Sequence, residues 1–191
     1  HVGGVAPLAT QDEAVGQEEN PRVFITLGTS FGNDLNFFLA AAQATHELGC
    51  TPLLALGGQL NAEQQQALRE RLPSNAQITE RIQLDAVLPQ VAVAIHHGGA
   101  GVTHALVTHA VPQIIVPHAA DQGHQAQGVV RSGVGLYLPA KEVTAPRLVN
   151  ALAQLLPDLS PYRAKAQALR AEFAALGGVP VAAQLLIEQV K

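Results

Sequence analysis

Short apolar runs of strand length alternate with helical patterns along most of the chain, and this alternation limits the folds open to it. Six runs have the length of strands, at residues 23–27, 52–56, 76–82, 91–95, 113–116 and 134–138. Helical patterns lie between most of them, at residues 34–48, 62–71, 102–110 and 124–132. Strands that alternate with helices form βαβ units, which build a parallel sheet. The run at 91–95 is apolar throughout, which is typical of a strand covered by helices on both faces.

Helix boundary signals support this division of the chain. Asn33 or Asp34 can cap the first helix, Gly49 can end it, and Asn61 can cap the second. From Thr144 onward the pattern is purely helical, with breaks at Pro161 and at residues 177–180. We therefore predict an α/β fold, a doubly wound, Rossmann-like parallel sheet of about six strands with a C-terminal helical tail.

The length of the chain fits one ordinary domain. It has 191 residues, of which 48% are hydrophobic, enough for a sizeable core. Residues 1–21 are rich in Gly, Pro, Gln and Glu and are predicted to be a linker segment, and residues 22–191 a single domain. Because the chain starts at His1 and contains no methionine, we expect a piece of a longer protein or a processed product.

Charge and composition argue against nucleic acid and membranes as partners. The net charge of −4 argues against nucleic acid, which needs a basic face on the protein. No apolar run approaches the ~20 residues that cross a membrane, and the N-terminus lacks the pattern of a signal peptide. The single Cys50 rules out an internal disulfide framework and fits a reducing compartment. We expect a cytoplasmic protein with no membrane partner.

A glycine-rich loop follows the strand at 91–95. His96 and His97 precede Gly98, Gly99 and Gly101, and a helix is predicted to begin near residue 102. Glycines let the backbone approach a ligand closely, and the free N–H groups and dipole of a helix N-terminus attract a phosphate. A histidine at the loop edge adds a donor or a positive charge. The alternative is a turn that only packs the strand on the helix.

Two further loops follow strands and precede helices. Asp121 and Gln122 come after the strand at 113–116 and offer donors and acceptors suited to sugar hydroxyls. The alternative there is an Asp that caps a helix beside a solvated Gln. Gly28 and Thr29 follow the first strand and can contact phosphate or sugar, or form a simple turn. The loop of Gly28 matches neither a Walker motif nor a dinucleotide-binding GxGxxG.

The remaining histidines raise the question of a metal site. Their spacing lacks the patterns of helical zinc sites, and the chain has no cysteine cluster, so no metal is expected. His104 and His109 are interpreted as ordinary helix residues. His118 lies beside the proposed sugar site and is a candidate to line it, while Cys50 and Phe173 are interpreted as packing residues.

Together these loops resemble the C-terminal domain of family 1 glycosyltransferases, particularly the bacterial macrolide and antibiotic glycosyltransferases. The resemblance extends from about residue 2 to residue 190, and Val2, Gly3 and Gly4 are similar to the linker that enters this domain. The matching segments are LGTS at 27–30, LDAVLP at 84–89, HHGGAGVTHALVTHAVPQIIVP at 96–117 and ADQ at 120–122.

The resemblance implies a GT-B fold, two facing Rossmann-like domains of which this is the nucleotide-sugar donor-binding half. It implies that a UDP- or TDP-sugar binds here and that an N-terminal acceptor-binding domain of the same enzyme binds a small-molecule acceptor. It places no catalytic residue on this chain, because the general base is a histidine of the other domain. No cofactor beyond the nucleotide sugar is implied.

The resemblance also assigns roles to individual residues. The diphosphate would be bound, and stabilised as the leaving group, by His97 rather than by both histidines. Its other contacts would be Gly98, Gly99 and the amides of Gly101, Val102 and Thr103. The sugar hydroxyls would be bound by Asp121 and Gln122, with His118 beside them. The nucleobase would pack against Arg81, Ile82 and Gln83. The diphosphate–sugar junction would be approached by Gly28 and Thr29.

Two alternatives remain open at this point. One is a stand-alone donor-binding subunit that needs an acceptor-domain partner. The other is a nucleotide-binding module without transfer activity, since Val102 stands where relatives often have Thr or Ser, and Ala105 where plant relatives have a Glu for the ribose.

Overall fold

The computed structural model describes residues 20–29, 31, 33–79 and 82–189, and within them it contains one six-stranded sheet. All strand pairs are parallel, and the order is β3-β2-β1-β4-β5-β6. This is the order of the doubly wound Rossmann fold, so the predicted fold class is confirmed. The strands are β1 Arg22–Thr26, β2 Thr51–Ala55, β3 Gln77–Thr79, β4 Val91–His96, β5 Gln113–Ile115 and β6 Gly135–Tyr137.

Helices cover both faces of the sheet. They are α1 Leu35–Glu47, α2 Ala62–Arg71, α3 Leu84–Val87, α4 Ala100–Thr108, α5 Gln122–Ser132, α6 Ala145–Leu155, α7 Ser160–Ala175 and α8 Gly178–Gln189, with 3-10 turns at Leu88–Gln90 and Ala140–Glu142. Side chains of α1 and α6 pack on one face with Ile25 and Ile95, and those of α4 pack on the other with Phe24 and Ala94. β4 is buried along its whole length, as its apolar sequence predicts.

The predicted helix caps are confirmed. The Asp34 carboxylate accepts a hydrogen bond from the Phe37 amide at 3.0 Å, which leaves Asp34 rather than Asn33 as the cap of α1. Asn61 and Gln64 form a capping box at the start of α2. Gly49 follows α1 with φ of +71°, the left-handed conformation in which helices commonly end.

Several predicted boundaries differ from those observed. β3 is three residues long instead of the predicted 76–82, because Ile82 already lies in the approach to α3, a short helix that the sequence pattern did not indicate. Both α4 and α5 begin two residues earlier than predicted, at Ala100 and Gln122. The predicted linker at 1–21, including Val2, Gly3 and Gly4, lies outside the described residues except at its end.

The predicted C-terminal helical tail is present, and its three helices differ in burial. Leu148, Leu152 and Leu155 of α6 are completely buried in the core that α1 forms with the sheet. By contrast α8 exposes apolar side chains, among them Leu186 at 69%. The segment predicted as a tail is therefore divided into a core helix, a partly packed helix and an exposed one.

One helical segment of the described chain, Ser160–Glu188, is long and apolar enough to cross a membrane by length and composition alone. This corrects the expectation that no apolar run approaches that length. The segment consists of α7 and α8, however, and Gly177 and Gly178 between them have φ of +79° and +57°. Positive φ at successive residues interrupts helical hydrogen bonding, so the segment is two helices rather than one rod.

Candidate functional site

The candidate site lies at the carboxyl edge of the sheet, where the strand order reverses between β1 and β4. Ligands of open parallel sheets bind in the crevice outside this point. The loop after β1 at 27–34, the loop after β4 at 97–99 and the loop after β5 at 116–121 all leave this edge. The three loops therefore lie at one edge of the sheet.

The His97 imidazole packs between two glycines from different loops. A Cβ atom added to Gly28 would lie 2.7 Å from Cε1 of His97, and one added to Gly99 would lie 2.6 Å from its Nε2. Such distances are far inside van der Waals contact, so a larger residue at either position would displace the ring. Gly28 also has φ of +67°, which L side chains rarely adopt. Both glycines therefore fix the position of His97.

His97 is buried but incompletely satisfied. It is 7% exposed, and its Nδ1 has no hydrogen-bond partner among the residues that the structure describes. Burial lowers the pKa of His97, the nearby His118 lowers it further, and the Asp121 carboxylate opposes both. Buried polar atoms are normally paired, so this nitrogen marks a place where a ligand can supply the partner.

The N-terminus of α4 presents free amides next to His97. Because α4 begins at Ala100, the N–H groups of Ala100, Gly101 and Val102 have no intrahelical acceptor, and no backbone acceptor is found for them within the described part of the chain. A Cβ atom added to Gly101 would meet nothing within 4 Å, so the first turn faces open space. These amides and the helix dipole together suit an anion.

Thr103 differs from the prediction. Its amide donates to the Gly99 carbonyl at 3.0 Å as the first hydrogen bond of α4, and its hydroxyl donates to the same oxygen at 3.0 Å. Since the helix begins two residues early, Thr103 has no donor left for a diphosphate. The free set is Ala100, Gly101 and Val102 rather than Gly101, Val102 and Thr103, and the Val102 side chain packs against the core.

Gly98 lies between the strand and this helix in a backbone conformation that residues with a side chain rarely adopt. Its φ is +92°, and an added Cβ would lie 2.8 Å from Cδ1 of Ile115. Its amide donates to Nδ1 of His96 at 3.2 Å. His96 is fully buried, and burial lowers its pKa to about 3, so it is a neutral residue of the strand rather than a ligand-facing one.

Neither Asp121 nor Gln122 has the role that the alternative interpretation gave it. Gln122 is buried, and its Oε1 accepts from the amides of His118 at 2.7 Å and Ala119 at 3.0 Å, which leaves its Nε2 as the free donor. Asp121 occupies the cap position of α5 but makes no side-chain cap hydrogen bond. Its exposed carboxylate has no ion-pair partner in the described region, so it is available to a ligand.

His118 connects the loops after β1 and β5. Its Nδ1 donates to the Val116 carbonyl at 2.8 Å, and its Nε2 lies 3.8 Å from the Asp34 carboxylate. The Phe31 ring lies 6.0 Å from the rings of both His97 and His118, measured between centroids. His118 thus borders the space beside His97, and its predicted role in lining a sugar site stays a prediction.

The predicted nucleobase segment is only partly described. Arg81 lies outside the described residues, as does Ser30 of the first loop. Ile82 packs against the core cluster that contains Phe24, and Gln83 is exposed at the start of α3. Both follow β3 at the same edge of the sheet as the other loops. Thr29 is also exposed at this edge.

The turn at Gly57 and Gly58 belongs to the site region and was missed from the sequence. It follows β2, and both residues have positive φ, +71° and +75°. A Cβ atom added to Gly57 would overlap the carbonyl oxygen of Gly28, whereas one added to Gly58 would meet nothing. The two consecutive glycines after a strand were the signal that could have found it, since such pairs mark close backbone approach.

His104 and His109 have ordinary partners. His104 contacts the ring of Phe173, with centroids 5.4 Å apart, and His109 Nε2 lies 2.9 Å from the Asp85 carboxylate. No group of three His, Cys, Asp or Glu residues that could hold a metal is found in the described ranges. Cys50 is buried and unpaired, and burial raises the pKa of its thiol.

The structure defines an α/β domain of the doubly wound, Rossmann-like class, with free helix amides and a buried histidine at the switch point of its parallel sheet. Residues 58–187 match the family described as the Erythromycin biosynthesis protein CIII-like, C-terminal domain. The chain belongs to this family, and the resemblance to antibiotic glycosyltransferases is confirmed.

Individual relatives agree with this assignment. The chain is 30% identical over 161 residues to the 3-alpha-mycarosylerythronolide B desosaminyl transferase of Saccharopolyspora erythraea, an alignment that covers 81% of this chain and 36% of the relative. It is similar to the solved glycosyltransferase of kitacinnamycin, with a TM-score of 0.81 and 26% identity over 97% of this chain and 47% of that one.

A second solved structure is the glycosyltransferase VinC in complex with DTDP, with a TM-score of 0.74 and 26% identity over 95% of this chain and 44% of VinC. The chain therefore spans under half the length of these proteins. Its fold is one half of the GT-B arrangement, as predicted.

The buried His96 predicts how stability depends on pH. Its pKa is about 3 in the folded protein, against about 6.5 in an unfolded chain. Below about pH 6.5 the unfolded state binds a proton at this histidine that the folded state does not bind. The contribution of His96 to the free energy of unfolding is therefore fully present above that pH and is lost as the pH falls toward the folded pKa. In urea unfolding between pH 6 and pH 4, His96→Asn is expected to lose stability less steeply than wild type, by up to about 1.4 kcal/mol per pH unit. Equal slopes in the two proteins would contradict this account of His96.

Proposed function

We propose that this chain is the donor-binding domain of an inverting glycosyltransferase that moves a sugar from a TDP- or UDP-sugar to a hydroxyl of a small-molecule acceptor. The observation that carries the proposal is the position of His97, fixed by Gly28 and Gly99 beside the free amides of Ala100, Gly101 and Val102. A diphosphate placed there meets a helix N-terminus and an unsatisfied imidazole at once.

The same geometry suits the departing diphosphate. When the acceptor oxygen attacks the anomeric carbon, the bond from that carbon to the diphosphate oxygen breaks and its electron pair remains on the diphosphate. Preorganised N–H donors stabilise the charge that develops there, without a metal. A bound diphosphate also opposes the burial that lowers the pKa of His97 and so favours its charged form.

The sugar is proposed to lie beside the diphosphate, against Asp121 and Gln122. The Asp121 carboxylate is exposed and accepts hydrogen bonds from hydroxyls, and the Nε2 of Gln122 points away from the two amides that hold its oxygen. His118 borders this space. We propose that residues 81–83 pack on the nucleobase, at the end of β3 on the same edge.

The acceptor site and the general base are proposed to lie on another domain. The chain spans 36% of the desosaminyl transferase and 44% of VinC, which leaves more than half of each relative to supply them. The proton of the acceptor hydroxyl then passes to a base of that other half. TDP is favoured over UDP as the donor nucleotide because VinC was solved with DTDP.

Calorimetry on His97→Ala tests the diphosphate site. Wild type is expected to bind TDP, and the variant to bind it about tenfold to a hundredfold more weakly, the usual loss for a hydrogen bond to a charged group. His46→Ala is the matched control, because His46 is exposed at the far edge of the sheet and bonds Asn75. The donor-site proposal fails if neither TDP nor UDP binds wild type, or if His97→Ala binds as wild type does.

Replacement of Asp121 by Asn separates the sugar site from the diphosphate site. The variant keeps the size of the side chain and removes its charge, so TDP-glucose is expected to lose about tenfold in affinity while TDP alone changes little. Titration of both ligands into folded variant and wild type gives the ratio of the two affinities. An unchanged ratio would remove Asp121 from the sugar site.

A further inference from the structure

Two fully buried polar side chains lie next to the loop at 97–99 but outside it. His96 ends β4 and Gln113 begins β5, the next strand of the sheet, and neither has exposed surface. His96 Nε2 and Gln113 Oε1 are 2.9 Å apart, a hydrogen bond between the two strands. Buried polar groups are costly unless bonded, so an apolar pair would serve packing alone at least as well.

The pair remains incompletely satisfied, which argues against a purely stabilising role. The Nε2 of Gln113 is buried with no hydrogen-bond partner in the part of the chain that the structure describes. An unpaired buried amide lowers stability. The benefit of the pair must therefore lie in what His96 does with its second ring nitrogen.

That nitrogen holds the turn of the loop. Nδ1 of His96 accepts a hydrogen bond from the amide of Gly98 at 3.2 Å. With Nδ1 an acceptor, the ring proton is on Nε2, which donates to Gln113. Gly98 is the single residue between His97 and Gly99, and its positive φ turns the chain from β4 into α4. A hydrogen bond to this one amide thus sets the turn that places both His97 and the free amides of α4.

We propose that His96, oriented by Gln113, is a positioning residue that presets the loop at 97–99 for a diphosphate. This inference rests on the proposed function and deepens it. The hydrogen-bond chain runs from β5 through the side chains of Gln113 and His96 to the Gly98 amide. His96 acts through Gly98 and makes no contact with the ligand. Preorganising a loop in this way raises affinity by removing the cost of ordering it on binding.

Three variants separate positioning from simple packing. His96→Asn keeps an acceptor for the Gly98 amide, whereas His96→Leu removes it. The double variant His96→Leu/Gln113→Leu replaces both partners by apolar groups and so avoids a stranded amide oxygen. Thermal melting selects the folded variants, and calorimetry with TDP measures their affinity.

The double variant is expected to fold, with a lower melting temperature if the Gly98 amide stays buried without its acceptor. It is expected to bind TDP about tenfold to a hundredfold more weakly, the size of effect that a displaced binding group produces. His96→Asn is expected to recover most of the affinity. If the double variant binds TDP as wild type does, or if folded His96→Asn binds no better than the double variant, the positioning role is wrong.

A measurement without ligand distinguishes this inference from the proposed function. Nitrogen-15 NMR of wild type is expected to show His96 as the Nε2–H tautomer and the Gly98 amide as protected from exchange, with protection lost in His96→Leu/Gln113→Leu. The other tautomer, or a Gly98 amide equally protected in the double variant, would overturn the inference whether or not TDP binds. Failure of wild type to bind TDP or UDP would instead overturn the proposed function.

Discussion

The packing of the His97 ring against Gly28 and Gly99 is the contact on which the site depends. It joins the loops after β1 and β4, the two strands on either side of the switch point. Neither glycine can gain a side chain without moving the imidazole, and Gly57 adds a second close approach, its backbone against the carbonyl of Gly28. The loops after β1, β2 and β4 are therefore held together by close contacts with glycine backbone, which a residue with a side chain would not permit.

This arrangement leaves polar groups beside His97 unsatisfied. The imidazole is largely buried with a free nitrogen, and the first amides of α4 face open space because no side chain caps them. The N-terminus of a helix in a soluble protein is usually capped by the side chain of a Ser, Thr, Asp or Asn. α1 and α2 do so through Asp34 and Asn61, whereas α4 has Gly99 at that position. In the proposed function the diphosphate would complete α4 as those side chains complete α1 and α2.

The sequence predicted the sheet, its six strands and the edge on which the loops meet, because strand and helix periods are local properties. Through the family resemblance it also assigned the ligand to His97 rather than His96, and this stays a prediction, supported by an unpaired Nδ1 on His97 and by hydrogen bonds to both ring nitrogens of His96. It did not predict that α4 begins at Ala100, and this error moved the free amides by one residue and wrongly included Thr103. Helix starts without a capping side chain leave little trace in a sequence.

Other features needed the tertiary structure. The sequence offers Gln122 as a sugar-binding residue or, alternatively, a solvated one, and it does not indicate that the side-chain oxygen accepts from two amides of the preceding turn. Gly57 and Gly58 read as an ordinary turn, since the carbonyl that Gly57 approaches lies on another loop. α6 reads as part of a tail, although Leu152 is completely buried against α1. The partners of Gly57 and of α6 are distant along the chain, whereas those of Gln122 lie three and four residues away and are revealed only by the folded turn.

The most direct test of the account is an amide NMR titration of this chain with TDP. The account predicts saturable shifts centred on the amides of Ala100, Gly101 and Val102 and on the His97 ring, with the Thr103 amide, already bonded to Gly99, shifted much less. Shifts that centre elsewhere on the domain while these residues stay unchanged in the TDP-saturated protein would contradict it.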